Sequence, residues 1–429
     1  MPALAKILIV FVSMLAVARL RLPLGAALVL GGIALEVWAG APPGAILPAL
    51  GRALAGAELW LLLAVTALII EIGRFMTEER NAREILAATR RWGGRHGPAC
   101  ALMAPPAVIG LVPMPAGALF SAPFVAEAGA EARGTPEWKS AVNYWFRHIW
   151  EYWWPLYPGV IVAMSVFEMD AWQFISAEIL YTPVAVAAGY AFLIRPRLGR
   201  LSAGTGSEGG SNRRAFFLLL PVGLVVAAVF ACPLPLAALF PGLGLQVRKL
   251  LAVLIGLLLA LTVVGVDEMR GGRWRMFSTL VKGKSLSVLF TLGGVLVFWS
   301  LLEDSGLLPV AGSELLRTGI PVAFAVAALP FVGGLVTGLA VGFTGTSFPL
   351  VVGLMHAEGS GLTPLATLVL AFGFGYMGMM LSPVHLCLLV TKEYFSSGVA
   401  PIYRVIAPCV GCILAFCVLA HLVLRWLGW

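Results

Sequence analysis

The chain has 429 residues, 60% hydrophobic and only 12% charged. A soluble domain carries about 25% charged residues, so the composition excludes a soluble enzyme or binding module and defines a polytopic membrane protein. The net charge of +8 would point to nucleic acid in a soluble protein. Here the Arg and Lys residues gather in loops, which is the positive-inside bias of a membrane protein, and no nucleic-acid partner is expected.

At about 20 residues per crossing, the apolar runs accommodate about ten transmembrane helices plus two re-entrant helical hairpins, an all-α polytopic fold. The first crossings are predicted at residues 3–18 and 23–38, with Arg19 and Arg21 between them. No small-residue cleavage site follows the first run, which is therefore read as a crossing and not as a signal peptide. A turn-rich segment, 40–54, leads to a third crossing at 58–72 and then to a basic loop with Arg74, Arg80, Arg83, Arg90, Arg91 and Arg95. Charge places that loop in the cytoplasm and the N-terminus outside.

Residues 98–126 are apolar but punctuated by Pro105, Pro106, Pro113, Pro115 and Pro123. A continuous helix does not accommodate Pro113-Met114-Pro115, and the segment reads as a hairpin with its tip at 111–117. The aromatic run WFRHIWEYWWPLYPG, 145–159, approaches a crossing that ends near Phe167, and another crossing covers 172–194. Residues 195–214, with GTGSEGGS between arginines, read as a flexible cytoplasmic linker.

In the second half, crossings are predicted at 215–231, 250–266 and 285–302, with a basic loop before the last. A second hairpin follows at 320–356, its tip at 342–347. The chain then runs through 363–390, interrupted near 373–383, and finishes with 403–427. The halves 1–194 and 215–429 repeat one order in opposite orientations, the inverted-topology arrangement of secondary carriers. The C-terminus is then also outside.

Glycines, hydroxyls and prolines at membrane depth mark backbone that leaves the helical pattern where protein encloses it. The first tip offers Pro113, Met114, Pro115 and Gly117, with Ser121 a turn further on. The second offers Gly342, Thr344, Gly345, Thr346 and Ser347. Freed backbone groups and hydroxyls can bind an ion or a carboxylate; the competing reading is a kinked packing helix whose hydroxyls satisfy its own backbone. Replacing Thr344 or Thr346 with Ala is expected to weaken substrate binding.

His148 and Glu151 share a helical face and offer a proton relay or gate, against an interfacial aromatic anchor around them. Breaks are expected at Pro158 and at Ser382-Pro383, followed by His385, an ionisable group inside the membrane domain. Glu71, beside Arg74, reads either as a structural ion pair or as a coupling carboxylate. Cys409-x-x-Cys412 lies in an apolar run and reads as packing. No zinc spacing, Walker sequence, dinucleotide fingerprint or nucleophile elbow occurs, so neither a resident metal, a cofactor nor an enzyme is expected.

The sequences LVPMPAG (111–117), YWFRHIWEYWWPLYPG (144–159) and GFTGTSFPL (342–350) resemble a family of bacterial and archaeal integral membrane proteins placed in the ion-transporter superfamily, beside gluconate permeases and citrate and other organic-anion carriers. The resemblance implies paired hairpins, a homodimer, and elevator-like transport of a small anionic solute coupled to protons or sodium. The first tip lacks a hydroxyl between Pro113 and Gly117, which favours H+ over Na+, with His148, Glu151 and His385 available. The sequence therefore reads as a proton-coupled secondary transporter in the cytoplasmic (inner) membrane, in contact with lipid. A sodium-coupled carrier, an ion channel, and a membrane-embedded enzyme or lipid-handling protein are the alternatives.

Overall fold

A computed structural model describes residues 1–19, 22–78, 80–81, 84, 88, 97–111, 113, 117–131, 133–200, 212–272, 283–317, 319–357 and 359–429. Every regular element among them is helical. Six helices are long and apolar enough to cross a membrane: Ala57–Met76, Ala171–Arg197, Asn212–Ala231, Val247–Arg270, Leu286–Asp304 and Val399–Trp426. Large apolar side chains such as Trp60, Phe216, Leu234 and Trp426 stand exposed on the outside, as lipid-facing surface requires. The chain is an all-α, multi-pass membrane protein.

The first half comprises α1 (Ala3–Arg19), α2 (Leu24–Ala39), α3 (Pro43–Ala55), α4 (Ala57–Thr77), α5 (Gly97–Gly110), α6 (Ala118–Glu131), α7 (Pro136–Arg147), α8 (Pro158–Val166), α9 (Ala171–Glu178) and α10 (Tyr181–Gly189). The segment expected to be turn-rich, 40–54, is mostly helix α3: its prolines sit at the start, where a missing N–H costs nothing, apart from Pro48. The second half comprises α11 (Asn212–Ala231), α12 (Pro233–Leu239), α13 (Leu245–Arg270), α14 (Gly283–Asp304), α15 (Leu307–Arg317), α16 (Val322–Thr337), α17 (Ala340–Met355), α18 (Pro364–Met380), α19 (Leu386–Tyr394) and α20 (Val399–Trp426).

Two pairs of short apolar helices, α5–α6 and α16–α17, occupy the segments predicted as hairpins. Helix α16 packs most extensively on α18, and α17 packs on α8 of the first half. Edge-to-face aromatics close that junction: Phe348 meets Phe167 at 5.3 Å between ring centroids, and Phe372 meets Phe343 at 5.5 Å and Phe174 at 5.7 Å.

The second turn does not lie where the sequence placed it. Residues 342–347 are inside α17, and the chain reverses at Gly338–Leu339. Likewise α18 runs unbroken through Gly373 to Met380, and the interruption falls at residues 381–385. Glycine runs inside these helices serve close packing, and a sequence pattern alone does not distinguish that from a turn.

Candidate functional site

Three interruptions of the helical chain meet at one cavity of about 160 Å³. The first is the stretch 148–157, between α7 and α8. Its aromatic side chains tie it to the carbonyl end of α5: Trp150 Nε1 donates to Ala107 O at 2.8 Å, Trp154 Nε1 to Leu111 O at 3.0 Å, and the Tyr157 hydroxyl to Gly110 O at 2.6 Å. A helix leaves its last carbonyls without internal partners, and these indoles and the phenol supply them. The aromatic run is thus an internal clamp, with Trp145, Tyr152 and Tyr157 buried, where an interfacial belt was the competing expectation.

The second interruption is Gly338–Leu339. Gly338 adopts φ +65°, and a Cβ there would come within 3.0 Å of His385 N and Ser382 Oγ; only glycine meets both demands without strain. The third is 381–385. Pro383 cannot supply an N–H to continue α18, and the chain turns through hydrogen bonds from Ser382 N to Met379 O (3.0 Å) and from His385 N to Ser382 O (3.2 Å).

Helices α8, α17 and α19 all begin at the cavity, which is lined by Pro158 and Gly159, Ala340 and Val341, and Leu386 and Cys387. None of the three starts carries a side-chain cap. Helix N-termini present backbone N–H groups and the positive end of the helix dipole, which favours an anion.

Arg147, His148, Glu151 and His385 line the same space. Arg147 Nη1 donates to Glu151 Oε1 at 3.0 Å and to the Tyr157 hydroxyl at 2.8 Å. His148 Nε2 lies 3.1 Å from His385 Nε2 and 3.8 Å from Glu151 Oε1. The Tyr376 hydroxyl donates to His148 O at 2.8 Å. All four lining side chains are buried, so a carboxylate or phosphate entering here would meet a guanidinium with little competing water.

Of the residues singled out by sequence, His148, Glu151, Pro158 and His385 come together at the cavity, and Pro113 joins them. Met114 and Pro115 lie outside the described residues. Gly117 and Pro383 are not among the lining residues, and neither is Ser121, whose hydroxyl bonds Asn143 Oδ1 at 2.6 Å against α7.

The second-tip residues are not among those lining the cavity. Thr344 Oγ1 donates to Ala340 O (3.0 Å), Thr346 Oγ1 to Gly342 O (2.7 Å) and Ser347 Oγ to Leu329 O (3.1 Å). Gly345 is a close-packing position: a Cβ would come within 2.1 Å of Val295 Cγ2 on α14, and Gly342 packs on Thr337. Glu71 is in an ion cluster, 2.6 Å from Arg74 Nε, and the same guanidinium also binds Glu268 of the second half.

Sequence reasoning did not single out Arg147, although a cation in an apolar run is a functional signal in itself. It also passed over Glu178, wholly buried at the end of α9, whose carboxyl oxygens have no hydrogen-bond partner among the described residues. The nearest approach to a metal set among the described residues is His148, His385 and Cys387, with ligand atoms within 4.8 Å of one another. Two nitrogens bound tetrahedrally at zinc bond lengths stand about 3.3 Å apart. The observed 3.1 Å is close to that separation and is also an ordinary hydrogen-bond distance.

A family model described as "Protein of unknown function (DUF401)" matches residues 96–424, and the chain belongs to that family. No curated protein matches the sequence. The fold is similar to that of the Alcanivorax borkumensis YdaH transporter, whose crystal structure is described as revealing an unusual topology. The identity is 16% and the TM-score 0.59, over 88% of this chain and 86% of that one.

Proposed function

We propose that this protein is a secondary active transporter for a small organic anion, coupled to protons. The observation that carries the reading is the convergence of three uncapped helix starts and the buried Arg147 guanidinium on one cavity. Dipole ends and a buried cation together select negative charge, and broken helices at a cavity are how carriers build such sites. The cavity's size suits a solute of a few heavy atoms in this conformation.

In this reading α5–α6 and α16–α17 are re-entrant hairpins of two inverted repeats, 1–194 and 215–429, and about ten helices cross the inner membrane with both termini outside. The hairpins, with α8, α18 and α19, move the site between the two sides in an elevator-like motion within a homodimer. The similarity to a transporter fold supports this. Protons are favoured over sodium because the hydroxyls that would ligate sodium donate to their own backbone, while two histidines and a carboxylate face the cavity. Glu151 then acts as the gate that holds Arg147 when no anion does.

The test is uptake of carboxylates and sugar acids into proteoliposomes under imposed proton or sodium gradients. Saturable accumulation driven by the proton gradient is expected. Continuous, non-saturating conduction of ions would make the protein a channel and defeat the proposal.

A further inference from the structure

The polar groups of the cavity have partners that fix their roles, with one contact left to explain. His148 Nδ1 lies 2.6 Å from Tyr144 O, and His385 Nδ1 lies 2.9 Å from Gly338 O. A carbonyl oxygen can only accept, so each Nδ1 carries a hydrogen and donates it. In a neutral imidazole the other nitrogen is then a bare acceptor. Two neutral rings in these tautomers would aim lone pairs at each other across the 3.1 Å between their Nε2 atoms. One added hydrogen turns that contact into an N–H···N bond of ordinary length. Two would set N–H against N–H.

We propose that His148 and His385 form a binding site for one proton, shared between their Nε2 atoms and joining a residue of the first half to a residue of the second. This rests on the carrier reading and names its coupling site. On binding, a proton from water forms an N–H bond with one Nε2, and the second Nε2 accepts the hydrogen bond. On release that N–H bond breaks, the electron pair stays on nitrogen and the proton returns to water.

Arg147 and Glu151 are paired to each other at 3.0 Å, and Glu151 Oε1 stands 3.8 Å from His148 Nε2, so both charged groups face the shared proton. Tyr144 packs its ring edgewise on both imidazoles, at 4.8 Å and 5.5 Å. Cys387, in the first turn of α19, stands beside them, and the hydroxyl of Tyr376, on α18, donates to His148 O and is also hydrogen-bonded with Glu151. From α4 and α14 the cavity receives Ile69, Ile70, Val288 and Thr291, which bring no charge. The Nδ1 acceptor of His385 is the carbonyl of Gly338, at the turn before α17. A movement of that turn therefore changes the histidine's partner and the proton's site together, which is what coupling requires.

The test is nitrogen NMR on the purified full-length protein with ¹⁵N-labelled histidine, across a pH series. The expected result in the unmodified protein is one hydrogen coupled to two Nε2 nitrogens, lost on raising the pH in a single step of one proton per chain, with both Nδ1 atoms protonated throughout. The signal should vanish in His148→Gln and in His385→Gln alike. Two rings that titrate independently, or either Nδ1 found bare, would overturn the proposal. So would stoichiometric Zn²⁺ binding that both variants lose, which would make the pair a metal site. Since the measurement needs no transport, it separates the two claims. A missing shared proton in a protein that accumulates anions removes the pair and leaves the carrier. A shared proton in a protein that moves no anion leaves the pair and removes the carrier.

Discussion

Residues 342–347 and residues 147–151 are both polar islands in apolar sequence, and the fold uses them in opposite ways. In the first, the Thr344 and Thr346 hydroxyls donate to carbonyls one turn back in their own helix. In the second, the helix ends at Arg147, and Arg147, His148 and Glu151 reach groups from elsewhere in the chain or the cavity. The difference is what the local backbone can absorb. A hydroxyl is short and can return to its own helix. An imidazole has two nitrogens: His148 Nδ1 returns to Tyr144 O in its own helix, while its Nε2 and the Arg147 guanidinium find partners further along the chain.

The largest effect is expected from Arg147→Ala, which leaves the buried Glu151 without its cation. Breaking a buried pair in this way costs about 3–5 kcal/mol, read as a fall in thermal stability, and uptake should be lost. Arg147→Lys should restore much of the stability with weakened anion affinity, since an ammonium does not reproduce the guanidinium fork. If the Lys variant transports normally, the geometric role of Arg147 is wrong.

Gly345→Ala probes the other island. Overpacking against Val295 should cost about 1–3 kcal/mol while the folded fraction keeps its substrate affinity; a specific loss of affinity would return 342–347 to the site. For Gly338→Ala the left-handed backbone should cost about 1–2 kcal/mol. Here uptake should fall further than stability does, because the turn holds His385. Thr346→Ala should change stability by less than about 1 kcal/mol and leave uptake intact, contrary to the expectation drawn from sequence.

The smallest effect concerns Glu314, outside the candidate spans, which accepts from Leu4 N at 2.8 Å and Ala3 N at 2.9 Å. Those N–H groups hold its carboxyl below the usual range. Its contribution to docking α1 is therefore present above the ordinary carboxylate pKa and lost as pH falls through the lowered one. Hydrogen exchange at the start of α1 should rise with acid, and Glu314→Gln should remove that dependence.

Much of the architecture was legible because hydrophobicity and proline placement act locally. The helical, membrane-spanning character, the two paired short helices and the interruptions at Pro158 and before His385 could all be read from pattern. The exact turn at 338–339 could not, since Gly338 and the glycines at 342 and 345 look alike in sequence and differ in backbone conformation and in what packs on them. Nor could the approach of His148 to His385, which lie 237 positions apart. Arg147 was visible as a charge in an apolar run, but its neighbours' aromatic character masked it as part of an interfacial anchor.

The most direct measurement is accumulation of a labelled small carboxylate by proteoliposomes under an inward proton gradient, comparing the unmodified protein with Arg147→Lys. Accumulation above the external concentration, abolished by collapsing the gradient and shifted to higher substrate concentration in the variant, is the expected result. Uptake that never exceeds equilibration, or that is indifferent to Arg147, would contradict an anion carrier built on this cavity.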